Sequence, residues 1–439
     1  MSIADQAMGT ALRGLSRFAQ LDVVDRLGLR DPTNRLVYRA TRNGFKAANQ
    51  AGRSFAAAQK ATGSGKRQGT RKPRLLFDLT PDDEQQMMVE AFGDFAAEKL
   101  RKVASVSDHD CAAPPEVLRQ ASELGITTLG VPEELGGAVE ERSAVTSVLI
   151  TEALAKGDMG LAVAMLSPAA VSTALGLWGD AGQQATYLGE FTGDDPPAAS
   201  LAVLEPRPLF DPFELATKAT RDGGDYILTG VKSLVPRAAE AELFVIAAAI
   251  EGKRPALFIV EAKNDGLLVE AEPAMGIRAS ATARIKLESA RVPATALLAA
   301  SSPDAYADCV RLGRIAWCAL ACGTAQAVLE HVRQYVLDRN SFGEPIAYRQ
   351  SVAFTVSNMA IEAEGMRLAT LRAAGLVDQG KEFAREAAIA SRLCAVKGMQ
   401  IGSDGVQMLG GHGYTKEYPE ERWYRDLRAA GVMEGALLV

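Results

Sequence analysis

No GxGxxG fingerprint, no CxxC pair and no compact apolar leader occur in this chain, and each absence removes a class of protein. Without the glycine fingerprint, and without alternating strand and helix patterns, a Rossmann dinucleotide site is not expected. Five cysteines (Cys111, Cys309, Cys318, Cys322 and Cys394) lie mostly inside apolar helical patterns, in a chain too large to need disulfide staples. They point to a reducing compartment. Cys318 and Cys322 stand four apart on one helix face, a spacing open to a metal or redox pair. With no histidine or third cysteine beside them in the sequence, they read as small core side chains, and no metal is expected. No stretch is expected to span a bilayer, which takes roughly 18 to 20 uncharged apolar residues. The main body is therefore expected to be soluble and cytoplasmic.

What is present is a globular composition. With 48% apolar residues over 439 positions, the chain can bury a large core and has room for two or three domains. Its net charge of −6 conceals an imbalance. Up to Arg74 stand fifteen lysines and arginines against four acids, a net +11, so the remainder carries −17. Residues 1–60 read as a basic N-terminal arm with loose helical periodicity, and 61–74 as a Gly/Ser/Lys/Arg linker. Such an arm suits peripheral contact with an anionic membrane surface or an acidic partner. No nucleic-acid motif accompanies the charge, so nucleic acid is not an expected partner. A cleavable targeting segment fits poorly with four acids and this length.

Beyond the linker, the periodicity defines three regions. A helix begins near Thr80-Pro81-Asp82, with Thr80 as the expected N-cap, and opens an N-terminal helical domain over 75–195. Over 196–300, short Val/Ile/Leu/Phe runs separated by Gly, Asp and Pro predict a central antiparallel β-barrel, with a hairpin at Asp222-Gly223-Gly224-Asp225. From 301 to 439 the pattern returns to long helices, about 304–338, 345–378, 383–410 and 416–430. The fold class is thus α+β, mainly α, ending in a four-helix bundle.

Three elements in the bundle carry chemistry. Arg339-Asn340-Ser341-Phe342-Gly343 closes one helix, with Gln350 heading the next; an arginine there can cap carbonyls or grip a pyrophosphate. Gln407-Met408-Leu409-Gly410-Gly411-His412-Gly413-Tyr414 is either a plain helix stop or a turn whose bare backbone lets a nucleotide come close. Glu434 precedes Gly435. Each signal alone is weak.

In this order, together with Leu312-Gly313-Arg314-Ile315 and Met275-Gly276-Ile277-Arg278, they resemble the flavin-dependent acyl-CoA dehydrogenases from about Leu76 onward. The resemblance implies FAD at a subunit interface. Arg339, Phe342 and Gln350 would clasp a neighbour's FAD, and Gln407, Gly410, Gly411 and Gly413 would hold its adenine and pyrophosphate half. Arg314 would bind near the acyl-CoA thioester. Glu434 would be the base, because taking a proton α to a thioester needs a desolvated carboxylate while hydride leaves the β carbon for the flavin. A homo-oligomer, or a hetero-oligomer with a paralogous subunit, is implied, with an electron-transferring flavoprotein as acceptor.

The pattern departs from the family on the flavin-ring side. Leu204 stands for a threonine, Phe210 for a serine, Leu234 for a tryptophan, Pro236 and Ala436 for threonines, and Arg311 for an acid. Two expectations follow: α,β-dehydrogenation of an acyl-CoA by a working flavoenzyme, or a non-catalytic subunit that completes the FAD site of a paralogous acyl-CoA dehydrogenase.

Overall fold

The computed structural model describes residues 81–137, 142–193, 195–298 and 304–439. The basic arm 1–60, the linker 61–74 and the N-cap expected at Thr80 lie outside them. Helix α1 (Asp83–Phe95) is capped by Asp82, whose side chain accepts from the Gln85 amide at 2.8 Å while the Gln85 side chain accepts from the Asp82 amide at 3.2 Å. This reciprocal box satisfies two orphan donors, and it places the cap at Asp82 rather than Thr80. A wide turn over Ala96–Leu100 leads into α2 (Arg101–Asp110), followed by α3 (Pro115–Glu123), α4 (Ala144–Gly157), α5 (Met159–Trp178) and α6 (Ala181–Tyr187).

Helix α5 corrects the expectation that no stretch is long enough for a bilayer. Its twenty residues carry no charge, and by length and composition it and α7 (Ala305–Asp338) are each sufficient to cross a membrane. Both are instead core helices, with 89% and 83% of their most apolar windows buried inside the fold. Pro168 within α5 cannot donate to Ala164, and the freed carbonyl accepts from Arg237 Nη1 at 3.4 Å.

The central region is one sheet of eight strands: β1 (Ala199–Ala202), β2 (Lys218–Asp222), β3 (Asp225–Val235), β4 (Leu243–Ile250), β5 (Arg254–Glu261), β6 (Leu267–Ala271), β7 (Ala283–Pro293) and β8 (Leu297–Leu298). The order is β6-β7-β3-β2-β4-β5-β8, with β1 also on β4. The end strands β6 and β8 are not paired with each other, so the expected barrel is open. β1 and β2 run parallel to β4, which makes the sheet mixed.

The C-terminal helices are α7, α8 (Gln350–Asp378), α9 (Ala384–Leu409) and α10 (Glu420–Leu427). Close crossings rest on glycine: a Cβ at Gly323 would stand 2.1 Å from the Glu152 carbonyl oxygen, and one at Gly405 2.6 Å from Val328 Cγ1. Cys318 and Cys322 of α7 share their core cluster with Cys394 of α9, a third thiol that tertiary packing supplies and sequence spacing does not show.

A buried ionic network joins the three regions. Arg425 of α10 grips both oxygens of Asp108 of α2, at 2.9 and 2.8 Å. Arg422 meets Asp158, the α5 cap, at 3.1 Å, and Asp426 accepts from the Ile277 amide at 2.5 Å. Burial, reinforced by the nearby Asp158, pushes the Asp426 carboxyl up to about 8.

Candidate active site

Glu434 sits on a strained turn that only its sequence neighbours permit. Gly435 adopts φ +69°, and a Cβ there would lie 2.6 Å from Val203 Cβ, so glycine alone fits. Trp317, one turn beyond Arg314 on α7, donates its Nε1–H to the Gly435 carbonyl at 2.8 Å and fixes the turn. Gly313 allows the close pass, since a Cβ there would stand 3.2 Å from the Leu437 carbonyl.

The Glu434 carboxylate is 16% exposed and receives Arg314, 26% exposed, through Nε at 3.0 and 3.2 Å and Nη2 at 2.6 Å. Burial raises the carboxyl above its ordinary range, Arg314 opposes that rise, and the charge of Asp211 adds to it. The chemical result is a poorly solvated carboxyl group partnered by one cation. Sequence reasoning named Glu434 and Arg314 but not Trp317 or Asp211. Trp317 was discoverable from its position three residues after Arg314 on the same helix.

The two segments that depart from the family pattern are locked to each other beneath this site. Lys232 Nζ meets Glu205 Oε1 at 2.9 Å and the Val203 carbonyl at 3.1 Å, and both side chains are essentially fully buried. Burial drives the Lys232 ammonium down to about 8. Burial likewise disfavours the Glu205 carboxylate, but Lys232 and the Thr217 and Ala216 amides outweigh it and hold its pKa low. Leu204 and Ala436 are buried in one apolar cluster with Leu437, and Phe210 and Leu234 pack against it. Leu234 holds φ +52°, and its amide donates to Glu272 at 2.8 Å.

The remaining candidates gather elsewhere. Arg339, Phe342, Gln350, Gln407, Gly410 and Gly411 are all exposed, and Gly413 is buried against Val406. The Arg339 turn and the glycine turn meet through Tyr335, whose hydroxyl bonds His412 Nδ1 at 3.0 Å. Arg339, Tyr335, His412, Tyr418, His331 and Asp338 line an open cavity of about 360 Å³. Gly410 takes φ 58°, ψ −132°, and no atom lies within 4 Å of a Cβ built on it or on Gly411, so the turn presents open backbone. A guanidinium, an amide and bare backbone fit the phosphates and adenine of a dinucleotide.

Arg314 lies near the start of α7 and Arg339 just past its end, a separation of about 37 Å at 1.5 Å per residue. One cofactor cannot lie in both places. Leu204, Leu234, Pro236 and Ala436, the positions that the resemblance places at the flavin ring, offer no side-chain donor.

A helical region, a central sheet and a helical bundle, with a desolvated carboxyl group at the junction, are the arrangement that the sequence resemblance to flavin-dependent acyl-CoA dehydrogenases implies. Family models described as the N-terminal, middle and C-terminal domains of acyl-CoA dehydrogenase match residues 82–194, 200–290 and 305–437. The bovine mitochondrial short-chain specific acyl-CoA dehydrogenase is 33% identical over 365 residues, covering 80% of this chain and 87% of its own. Among solved structures, butyryl-CoA dehydrogenase from Megasphaera elsdenii superposes with a TM-score of 0.75 at 27% identity, over 82% of this chain and 96% of its own. A structure described as the electron transferring flavoprotein of Acidaminococcus fermentans gives 0.74 at 27% identity, over 82% and 96%. The chain belongs to the acyl-CoA dehydrogenase family, whose members are FAD-dependent oxidoreductases, and its cofactor is FAD.

Proposed function

We propose that this chain dehydrogenates short or branched acyl-CoA thioesters at the α,β bond, with Glu434 taking the α proton. The clasp between Arg314 and Glu434 carries this reading: it sets a carboxyl group in a desolvated place, where its basicity is raised, beside a cation that opposes the rise. FAD, when bound, accepts the hydride that leaves the β carbon. Glu434 needs one free oxygen for the proton, and its two oxygens share one guanidinium, so a small shift of Arg314 frees a lone pair without discharging the pair. Trp317 and Gly435 keep the carboxylate in register. The chain-length class is supported by the bovine relative, described as short-chain specific. The test is a dye-linked assay of the holoenzyme with butyryl-CoA and palmitoyl-CoA; preference for palmitoyl-CoA overturns the chain-length assignment.

The assembly belongs to the same proposal. Arg339, Gln407 and the glycine turn serve the FAD of a second subunit, because α7 separates them from Glu434 by far more than one cofactor spans. Phe354, Ile361 and Leu368 recur at seven-residue intervals along α8 and remain exposed, as do Ile389 and Val396 on α9, which suits an apolar interface between bundles. A subunit that completes the site of a paralogous chain is the second reading, favoured by the apolar ring-facing residues. Electrons pass on to an electron-transferring flavoprotein, and residues 1–60 rest on anionic membrane. Sedimentation of the chain alone and with candidate paralogues separates these assemblies, and vesicle co-sedimentation with and without residues 1–74 tests the arm.

A further inference from the structure

The bundle core holds three thiols that the reaction does not use. Cys318 and Cys322 stand one turn apart on α7, and Cys394 reaches them from α9. Thr370 of α8 sits between the helices, its Oγ1 3.7 Å from Cys322 Sγ and 3.8 Å from Cys394 Sγ. All three thiols lie in one core cluster, and each is at most 3% exposed. The helices come this close because small residues line the crossing: a Cβ added at Gly398 of α9 would lie 3.8 Å from Ala321 Cβ of α7.

We propose that this cluster is an oxidation site at which Cys394 forms a disulfide with Cys322, cross-linking α7 to α9, with Cys318 able to replace Cys322 by exchange. The oxidant is a hydroperoxide. With hydrogen peroxide, one thiol sulfur takes an oxygen and becomes a sulfenic acid, releasing one water; the second sulfur then displaces the hydroxyl, releasing another. Two thiols and one peroxide thus give one disulfide and two waters, the two sulfurs losing one electron each to the O–O bond.

The surroundings favour this outcome over a bound soft metal. A metal site requires thiolates, yet the neighbouring thiols and burial push the Cys322 and Cys394 thiols well above the ordinary range, and Glu152 adds to the rise at Cys322 rather than opposing it. A disulfide adds no charge to the core. Peroxide too is attacked by a thiolate, so the same burial makes the reaction slow: a metal would need several lasting thiolates, whereas oxidation needs one transient thiolate, formed when the bundle opens.

The test uses the full chain, folded, treated with hydrogen peroxide and then alkylated with iodoacetamide in denaturant without reductant. Of five cysteines, two should escape alkylation, and trypsin should release Ile315–Arg333 joined to Leu393–Lys397. Cys394→Ser should abolish the joined peptide, and Cys111→Ser should leave it unchanged. Should Cys394→Ser fail to fold, Cys318→Ser with Cys322→Ser gives the same loss, while either alone retains a cross-link. Oxidation should also raise the thermal midpoint of the wild type and not of Cys394→Ser. Five alkylated thiols after prolonged exposure, or a link that omits Cys394, overturns the proposal.

Discussion

Arg314 holds both carboxylate oxygens of Glu434 with a single guanidinium, across 120 residues of sequence. The arginine therefore opposes the burial that pushes this carboxyl upward. Glu434→Gln keeps size and polarity but removes basicity, and dehydrogenation should fall at least ~10³-fold with acyl-CoA binding retained. In the wild type, the acid limb of kcat/KM should lie above the pH at which a free glutamate titrates. Arg314→Met removes the stabilising cation, so the limb should move to still higher pH. Stopped-flow reduction across pH measures both, and near-normal turnover of Glu434→Gln removes the assignment.

Asp426 offers a test in stability rather than rate. An unfolded aspartate titrates near ~3.9, whereas the folded group, held up by burial and by Asp158, titrates at about 8. Between those values the folded chain holds a proton that the unfolded chain has released, so this group's contribution is full below about pH 4 and is lost as pH rises to about 8. The loss is at most ~1.4 kcal/mol per unit. Asp426→Asn, which keeps an acceptor for the Ile277 amide, should lack this slope. Urea unfolding at pH 5, 7 and 9 should show the variant gaining on the wild type; parallel curves contradict the prediction.

Lys232→Met should cost about 3 to 5 kcal/mol, because Glu205 would remain buried without its cation. Adding Glu205→Gln should recover much of that loss. A double-mutant cycle by equilibrium unfolding decides it, and additive costs mean the two charges are not coupled.

Leu204, Leu234, Pro236 and Ala436 give the flavin ring no side-chain hydrogen bond, so the chain purified alone should carry less than one FAD per subunit. Leu204→Thr, Leu234→Trp and Pro236→Thr combined should raise occupancy, and any one alone should do little. Visible absorbance after gel filtration measures this. Full occupancy of the wild type shows that backbone and packing hold the ring unaided.

The long, strongly periodic helices and five of the strands were readable because their apolar spacing is regular. β2, β6 and the two-residue β8 were not: β2 is Lys-Ala-Thr-Arg-Asp with one buried residue, so it has no alternation to detect. Helix α5 shows the converse limit, since an uncharged run has the same composition whether protein or lipid surrounds it. The cap at Asp82 has a sequence signal that Thr80 lacks: Gln85 stands three residues after Asp82, the capping-box spacing, whereas Thr80 has Asp83 there. Glu434 and Arg314 were visible as family motifs, but their contact, and the arrival of Cys394 beside Cys318 and Cys322, depend on packing between helices distant in sequence.

The length of α7 has a genetic consequence. If its two ends serve different cofactors, a chain carrying Glu434→Gln and a chain carrying Arg339→Ala are defective in different halves of different sites. Co-expressed, they should assemble mixed particles in which one site receives its carboxylate from the second chain and its guanidinium from the first, a wild-type combination, while the opposite site receives both lesions. Two inactive proteins should thus yield measurable dehydrogenation when made together and none when merely mixed after folding, provided subunits do not exchange.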